Sequence, residues 1–180
     1  MSTTALPLPE QTQALHEQYM KEALDLASEA AARDEVPVGA LIVHRGRVIA
    51  RASNTREESK CATHHAEILA IEQACRTLGG WRLPDCTLYV TMEPCVMCAG
   101  AIVNARIPTV VYGARDLRFG AFGSLLDLCE IPLNHRPHVI PDILGDEARD
   151  VLGTYFRRKR VLEKERKQAQ RNAPVPPKEG

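Results

Sequence analysis

The sequence predicts an α/β fold, a three-layer α/β/α sandwich around a mixed central sheet of about five strands. Three observations predict it. Apolar residues recur at helical spacing from Glu10 to about Arg33. Two β-rich runs flank Arg45-Gly46, which reads as a tight antiparallel hairpin. A strand–helix–strand succession over 87–114 calls for a parallel pair joined by a right-handed crossover.

The elements follow in order. From Glu10 to about Arg33, Leu15, Tyr19, Ala23, Leu26, Ala27 and Ala30 fall three or four apart, as on one face of a helix. Residues 40–44 and 47–53 are the hairpin strands, and "TREESKCAT" is a polar loop. "HHAEILAIEQACRTLG" reads as a helix that Gly79-Gly80 ends. "TLYVTM" (87–92) is a strand. "PCVMCAGAIVNAR" is a small-residue helix opened by Pro94, a residue favoured in the first turn. "TVVYGA" (109–114) is a buried strand, 124–128 one helical turn, and a short strand lies near Val139. The last helix runs from about 146 to 170. Residues 1–10 read as a flexible N-terminus, 11–170 as a single domain, and 171–180 as a disordered tail.

Composition excludes several classes. The 180-residue chain is 44% hydrophobic, within the range of a soluble globular domain, and its formal net charge is +0. No apolar run is long enough to span a membrane. The N-terminus lacks the basic and apolar regions of a secretory signal. Six cysteines in such a chain are expected to be reduced, in the cytoplasm, which makes metal binding or catalysis the better reading of a close pair than a disulfide.

That pair is Cys95 and Cys98. On a helix, positions i and i+3 share a face, so both thiols can point at one atom. The positive end of the helix macrodipole favours thiolates there. Alone, the pair fits a metal site and a redox-active dithiol equally well. "HAE" at 65–67 favours the metal. One His and two thiolates leave the fourth position of a tetrahedral zinc open, as catalytic sites do. Zinc lowers the pKa of a bound water from about 9 toward about 7, and Glu67 could take that proton and pass it to a substrate nitrogen. His64 lies about 100° round the helix from His65 and has no carboxylate two positions on, so His65 is the expected ligand.

His65-Ala66-Glu67 with Pro94-Cys95-Val96-Met97-Cys98 resembles the H-x-E … P-C-x-x-C signature of zinc-dependent nucleobase deaminases. "EVPVGALIVHRGRVIARASN", "LYVTMEPCVMCAGAI", "VVYGARD", "GSLLDL" and "NHR" extend the resemblance, over about residues 15–165, to the bacterial tRNA-specific adenosine deaminases. The resemblance implies a cytidine-deaminase-like fold, a homodimer, and hydrolysis of adenosine to inosine at the wobble position of a tRNA anticodon loop. It implies one zinc ion per subunit on His65, Cys95 and Cys98, with Glu67 as the proton shuttle. Asn54 would contact the base, Asp116 an RNA sugar, and the backbone around Ala66 would line the pocket. The chain departs from the family pattern at His64 and at Phe119 and Phe122 in "DLRFGAFG".

Blander readings stand beside these. Asn54 and Asp116 could simply form turns. Cys61, Cys75, Cys86 and Cys129 have no partner spacing and read as buried or bystander thiols, or one of them as a fourth ligand. His16 and His44 read as surface positions, and His135 and His138 as loop or packing residues. Residues 157–171 carry eight Lys/Arg against two Glu, either a solvated helix face or a phosphate-binding stripe. Three other functions remain open: a guanine, cytosine or nucleoside deaminase acting on a small molecule, a non-catalytic zinc-stabilised RNA-binding module, and a thiol oxidoreductase.

Overall fold

The computed structural model describes residues 10–172. Its five strands form one sheet in the order β2-β1-β3-β4-β5. These are β1 (Gly39–His44), β2 (Arg47–Ser53), β3 (Cys86–Met92), β4 (Thr109–Ala114) and β5 (His138–Ile140). The β2-β1-β3 half is antiparallel and the β3-β4-β5 half parallel. Five helices accompany it: α1 (Glu10–Ala32), α2 (Arg56–Ser59), α3 (Ala66–Leu78), α4 (Val96–Asn104) and α5 (Gly145–Asn172). Of the segments expected to be flexible, 1–10 and 171–180, residues 1–9 and 173–180 lie outside the described residues, while Glu10 begins α1 and Arg171 and Asn172 end α5.

Strand alternation sorts side chains into two cores. Ala40 and Ile42 of β1, Leu88 and Val90 of β3, and Val110 and Tyr112 of β4 face α3 and α4. Their neighbours Leu41, Val43, Tyr89 and Val111 face α1 and Ile143 and Leu144, just before α5. Buried on both faces, the central strands are continuous apolar runs. The hairpin turns on Arg45 and Gly46 with φ of 48° and 77°, the two left-handed residues of a type I′ turn.

Gly39 sets how closely α1 approaches the sheet. A Cβ there would lie 2.0 Å from the carbonyl oxygen of Ala23 and 2.7 Å from the amide nitrogen of Ala27. Those partners are backbone atoms that cannot rotate away. Gly39→Ala is therefore expected to lower stability by at least about 1–3 kcal/mol, seen as a fall in Tm with no loss from the site residues themselves. An unchanged Tm would show that α1 shifts freely.

Several expectations need correction. "TREESKCAT" is not wholly loop, because α2 forms a helical turn inside it. Buried Glu35 holds that turn by accepting the amide of Glu58 at 2.7 Å, a contact across 23 positions that no local pattern reveals. Pro94 does not open α4; Cys95 is the N-cap and Pro94 precedes it. The helical turn expected at 124–128 occurs as a 3₁₀ turn at Leu128–Glu130, capped by Asp127. His16 is buried, not on the surface, its Nδ1 2.8 Å from the Tyr89 hydroxyl, and Leu15 of the expected apolar face is 47% exposed. Phe122 packs in the core, while Phe119 stays 60% exposed.

Candidate metal centre and substrate cavity

The site forms where α3 and α4 begin. His65 is the N-cap of α3 and Cys95 the N-cap of α4, both with extended backbone. N-caps are usually Ser, Thr, Asp or Asn, whose side chains bond the first helical amides. Neither His65 nor Cys95 makes such a bond; their side chains turn instead toward each other. Cys98, one turn into α4, joins them from a fully buried position.

The Nδ1 atom of His65 lies 3.8 Å from Sγ of Cys95 and 3.6 Å from Sγ of Cys98, and the three ligand atoms lie within 4.8 Å of one another. Bond lengths of about 2.1 Å for Zn–N and about 2.3 Å for Zn–S place N and S about 3.6 Å apart across a tetrahedral ion. The donor set and its spacing thus fit zinc. Neither His64 nor any of the other four cysteines joins the cluster among the described residues. Cys75 donates to the Trp81 carbonyl and Cys129 to that of Pro137.

Electrostatics agree with a cation site. Hydrogen bonds from Cys98 and His65 to the Cys95 sulfur, the first the stronger, outweigh burial and lower the Cys95 thiol to about 4. The same shared proton, together with burial, pushes Cys98 up. Contact with Cys95 in turn raises His65. Two helix N-termini add their positive ends to the cluster.

Beside it opens a cavity of about 300 Å³, lined by Asn54, His65, Glu67, Cys95 and Asp116, with Val38, Leu152 and Phe156 among its apolar walls. Glu67 is 4% exposed, and its Oε2 has no hydrogen-bond partner. Burial pushes its carboxyl up. An orphaned buried carboxylate oxygen needs a water or ligand donor. Oδ1 of Asn54 accepts the amide of Ala66 at 2.8 Å, which leaves the side-chain NH₂ for a ligand. Ala66 itself is fully buried behind that bond. Asp116 both lines the cavity and forms a turn, its Oδ1 accepting the amides of Arg118 and Phe119.

A second groove runs on from the cavity mouth. Arg115, Arg118, Arg149, Arg157 and Arg160 line it, and it shares Arg118, Leu152 and Phe156 with the cavity. Of the five, only Arg115 and Arg149 have a carboxylate partner among the described residues, Asp142 and Asp146. The basic residues of α5 divide in two. Tyr155 and Lys159 dock the helix on Asp34, whereas 160–171 are all exposed. A depression between Lys164, Lys167 and Arg171 is open space along that exposed stretch.

Sequence reasoning missed Arg56 and Glu93, which also line the cavity. Glu93 could have been suspected: it is a carboxylate at the end of the apolar run "TLYVTM", directly before Pro94 and Cys95.

The MafB19-like deaminase family matches residues 14–160. A tRNA-specific adenosine deaminase of Bacillus subtilis (strain 168) is 46% identical over 157 residues, covering 87% of this chain and 96% of the relative. A structure from studies of A-to-I editing by tRNA:A34 deaminases at the wobble position of transfer RNA superposes with a TM-score of 0.72 at 45% identity, over 75% of this chain and 99% of that one. A guanine deaminase from Nitrosomonas europaea shares the fold with a TM-score of 0.68 at 27% identity, over 86% of this chain and 98% of that one.

Proposed function

This chain belongs to the MafB19-like deaminase family, and from that premise we propose that it deaminates adenosine to inosine at the wobble position of a tRNA anticodon loop. The overall change is adenosine plus water to inosine plus ammonia. His65, Cys95 and Cys98 hold one zinc ion per subunit. Zinc, when bound, acidifies a water and so supplies a nucleophile near neutral pH.

The chain's own residues do the rest. Oε2 of Glu67 takes the proton of the attacking water and delivers it to N1 of the purine as C6 is attacked. It then takes the second proton of that water, from the hydroxyl now on C6, and passes it to the departing amine, which leaves as ammonia. Asn54 presents its NH₂ to the base, Asp116 meets the sugar, and Val38, Leu152 and Phe156 exclude bulk water. A cavity of about 300 Å³ suits one base swung out of a single-stranded loop.

The fold alone does not choose the substrate, since a guanine deaminase shares it. The observation favouring RNA over a free base is the arginine groove continuous with the cavity, which suits the phosphates flanking a flipped nucleotide. Incubation with total tRNA followed by sequencing for A-to-inosine changes tests the reading. Absence of inosine, with turnover of free guanine, cytosine or a nucleoside, would replace it with the small-molecule alternative. The double substitution Arg157→Glu and Arg160→Glu is expected to weaken binding of an anticodon stem-loop by at least about tenfold and to flatten its salt dependence. Binding unchanged in that variant would make the groove a bystander.

A tRNA substrate supports a cytoplasmic location, and no helix of the described residues is long and apolar enough to cross a membrane. A homodimer is proposed with it. Val96 and Met97 on α4 and Leu125, Leu126, Ile131 and Leu133 are exposed. The 120 and 125–126 stretches are tied to the start of α4 through the Cys95–Gly120 bridge and the Gly120 carbonyl. Such an apolar surface suits a second copy of the chain.

A further inference from the structure

We propose that Glu93 is a positioning residue that builds the substrate-facing wall of the cavity, and so sets affinity for the loop substrate more than the rate of its chemistry. The inference rests on the deaminase reading above. Glu93 is 3% exposed and carries no ion pair among the described residues. Its carboxylate is instead wrapped by the loop that follows β4. Oε2 accepts the amide of Asp116 at 3.1 Å and the hydroxyl of Ser124, while Oε1 accepts the amides of Phe122 and Ser124 at 3.0 and 3.1 Å.

Four donors from three residues thus converge on one side chain 23–31 positions away in the chain. The loop closes round it so tightly that a Cβ on Gly120 would lie 2.4 Å from Cδ of Glu93 and 2.5 Å from its Oε2. The backbone on either side is tied down as well. The amide of Glu93 donates to Ala114, and that of Ala121 donates to Pro94.

This arrangement joins two parts of the site. Glu93 stands two positions before Cys95, and the loop it holds carries Asp116, Arg118 and Phe119, all of which line the cavity. Asp116 uses Oδ1 on its own turn, so the position of its backbone decides where that carboxylate faces a sugar. Without Glu93, the amides of Asp116, Phe122 and Ser124 would each need water, and the loop would sample other shapes. A loop that must be ordered by the substrate raises KM, whereas groups that meet the reacting atoms keep their geometry and kcat.

Two variants separate this role from general support of the fold. In Glu93→Gln the amide nitrogen is best placed opposite Ser124 Oγ, which can accept from it. The Phe122 and Ser124 amides then keep their acceptor and only the Asp116 amide loses one. Glu93→Ala frees all three. With the metal-loaded full chain and an anticodon stem-loop, both variants are expected to retain stoichiometric zinc and a kcat within about threefold. KM is expected to rise by about tenfold or more, within the about 100-fold that a misplacement of about 1 Å can cost. Amide exchange should quicken at 116 alone in the first variant and at 116, 122 and 124 in the second.

Unchanged KM and exchange would overturn the proposal. So would zinc content and kcat falling together, which would assign Glu93 to the metal turn. If Glu93→Ala does not fold, Gly120→Ala carries the test from the loop side, because its Cβ would press on the Glu93 carboxylate and the Asp116 carbonyl; it is expected to raise KM and quicken exchange at 116, and no change in either sinks the idea. A parent chain that makes no inosine would defeat the functional reading, while the exchange pattern would still decide what Glu93 does.

Discussion

Glu67→Ala is expected to bind zinc as the parent chain does and to lose turnover by about 10²–10⁴-fold, the range that a positioned general acid–base supplies. The geometry separates the two effects. Glu67 is not one of the three atoms that meet at the metal position, so its removal leaves the ligands intact. It is, however, the buried carboxylate on the cavity wall with an oxygen that no protein donor satisfies. Folding gains nothing from such an oxygen, because an unpartnered buried polar atom costs about 1–3 kcal/mol. Glu67→Ala should therefore leave Tm unchanged or raise it while activity collapses. Metal content by elemental analysis, Tm, and inosine formation in an anticodon stem-loop are the three readings. Retained turnover would remove Glu67 from the mechanism, and lost zinc would make it a ligand.

Cys98→Ala is expected to do the reverse: zinc is lost, and activity and stability go with it. Cys98 is fully buried and 3.6 Å from the His65 ring nitrogen, and alanine there leaves the metal position with one imidazole and one thiolate, too few protein ligands for a stable zinc centre. A ligand that binds only the folded state stabilises it by mass action, about 2.7 kcal/mol at 100 times Kd, or about 5–10 °C in Tm for a chain of this size. Chelation of the parent chain should lower Tm by a similar amount and bring it to the Cys98→Ala value. A variant that kept full zinc, or a parent whose Tm ignored the chelator, would argue against a three-ligand centre.

Much of the fold was legible because its signals are local. The helical spacing of Tyr19, Ala23, Ala27 and Ala30 depends only on the pitch of a helix, and all four are buried. Arg45-Gly46 reads as a hairpin because a two-residue turn needs two left-handed residues. Strand, helix and strand over 87–114 leave a parallel pair as the short solution, and β3 and β4 pair that way.

Three of the differences share one cause. His16 looked like surface because nothing near it in sequence shows the Tyr89 hydroxyl 73 positions away. α2 looked like loop because its anchor, Glu35, lies on the far side of the hairpin. Phe119 and Phe122 looked alike, three apart in one loop, yet one faces the cavity and the other the core. In each case the deciding partner is distant in sequence, and periodicity carries no information about distance of that kind.

The residue types alone determined the chemistry on offer: one imidazole and two thiols at metal-ligand spacing, with a carboxylate two positions past the imidazole. That much needs no fold, since ligand preference follows from donor atoms. Only the tertiary structure decided that the imidazole and the thiols meet. β2 and β3 flank β1 in the sheet and both end beside its first residues, so the helices that follow them, about thirty positions apart in sequence, begin at one end of the sheet, and two N-caps give up capping to face each other. Only the tertiary structure, too, joined the cavity to the arginine groove and folded the 116–124 loop around Glu93. These are long-range contacts set by packing, and they exist only once both cores have closed.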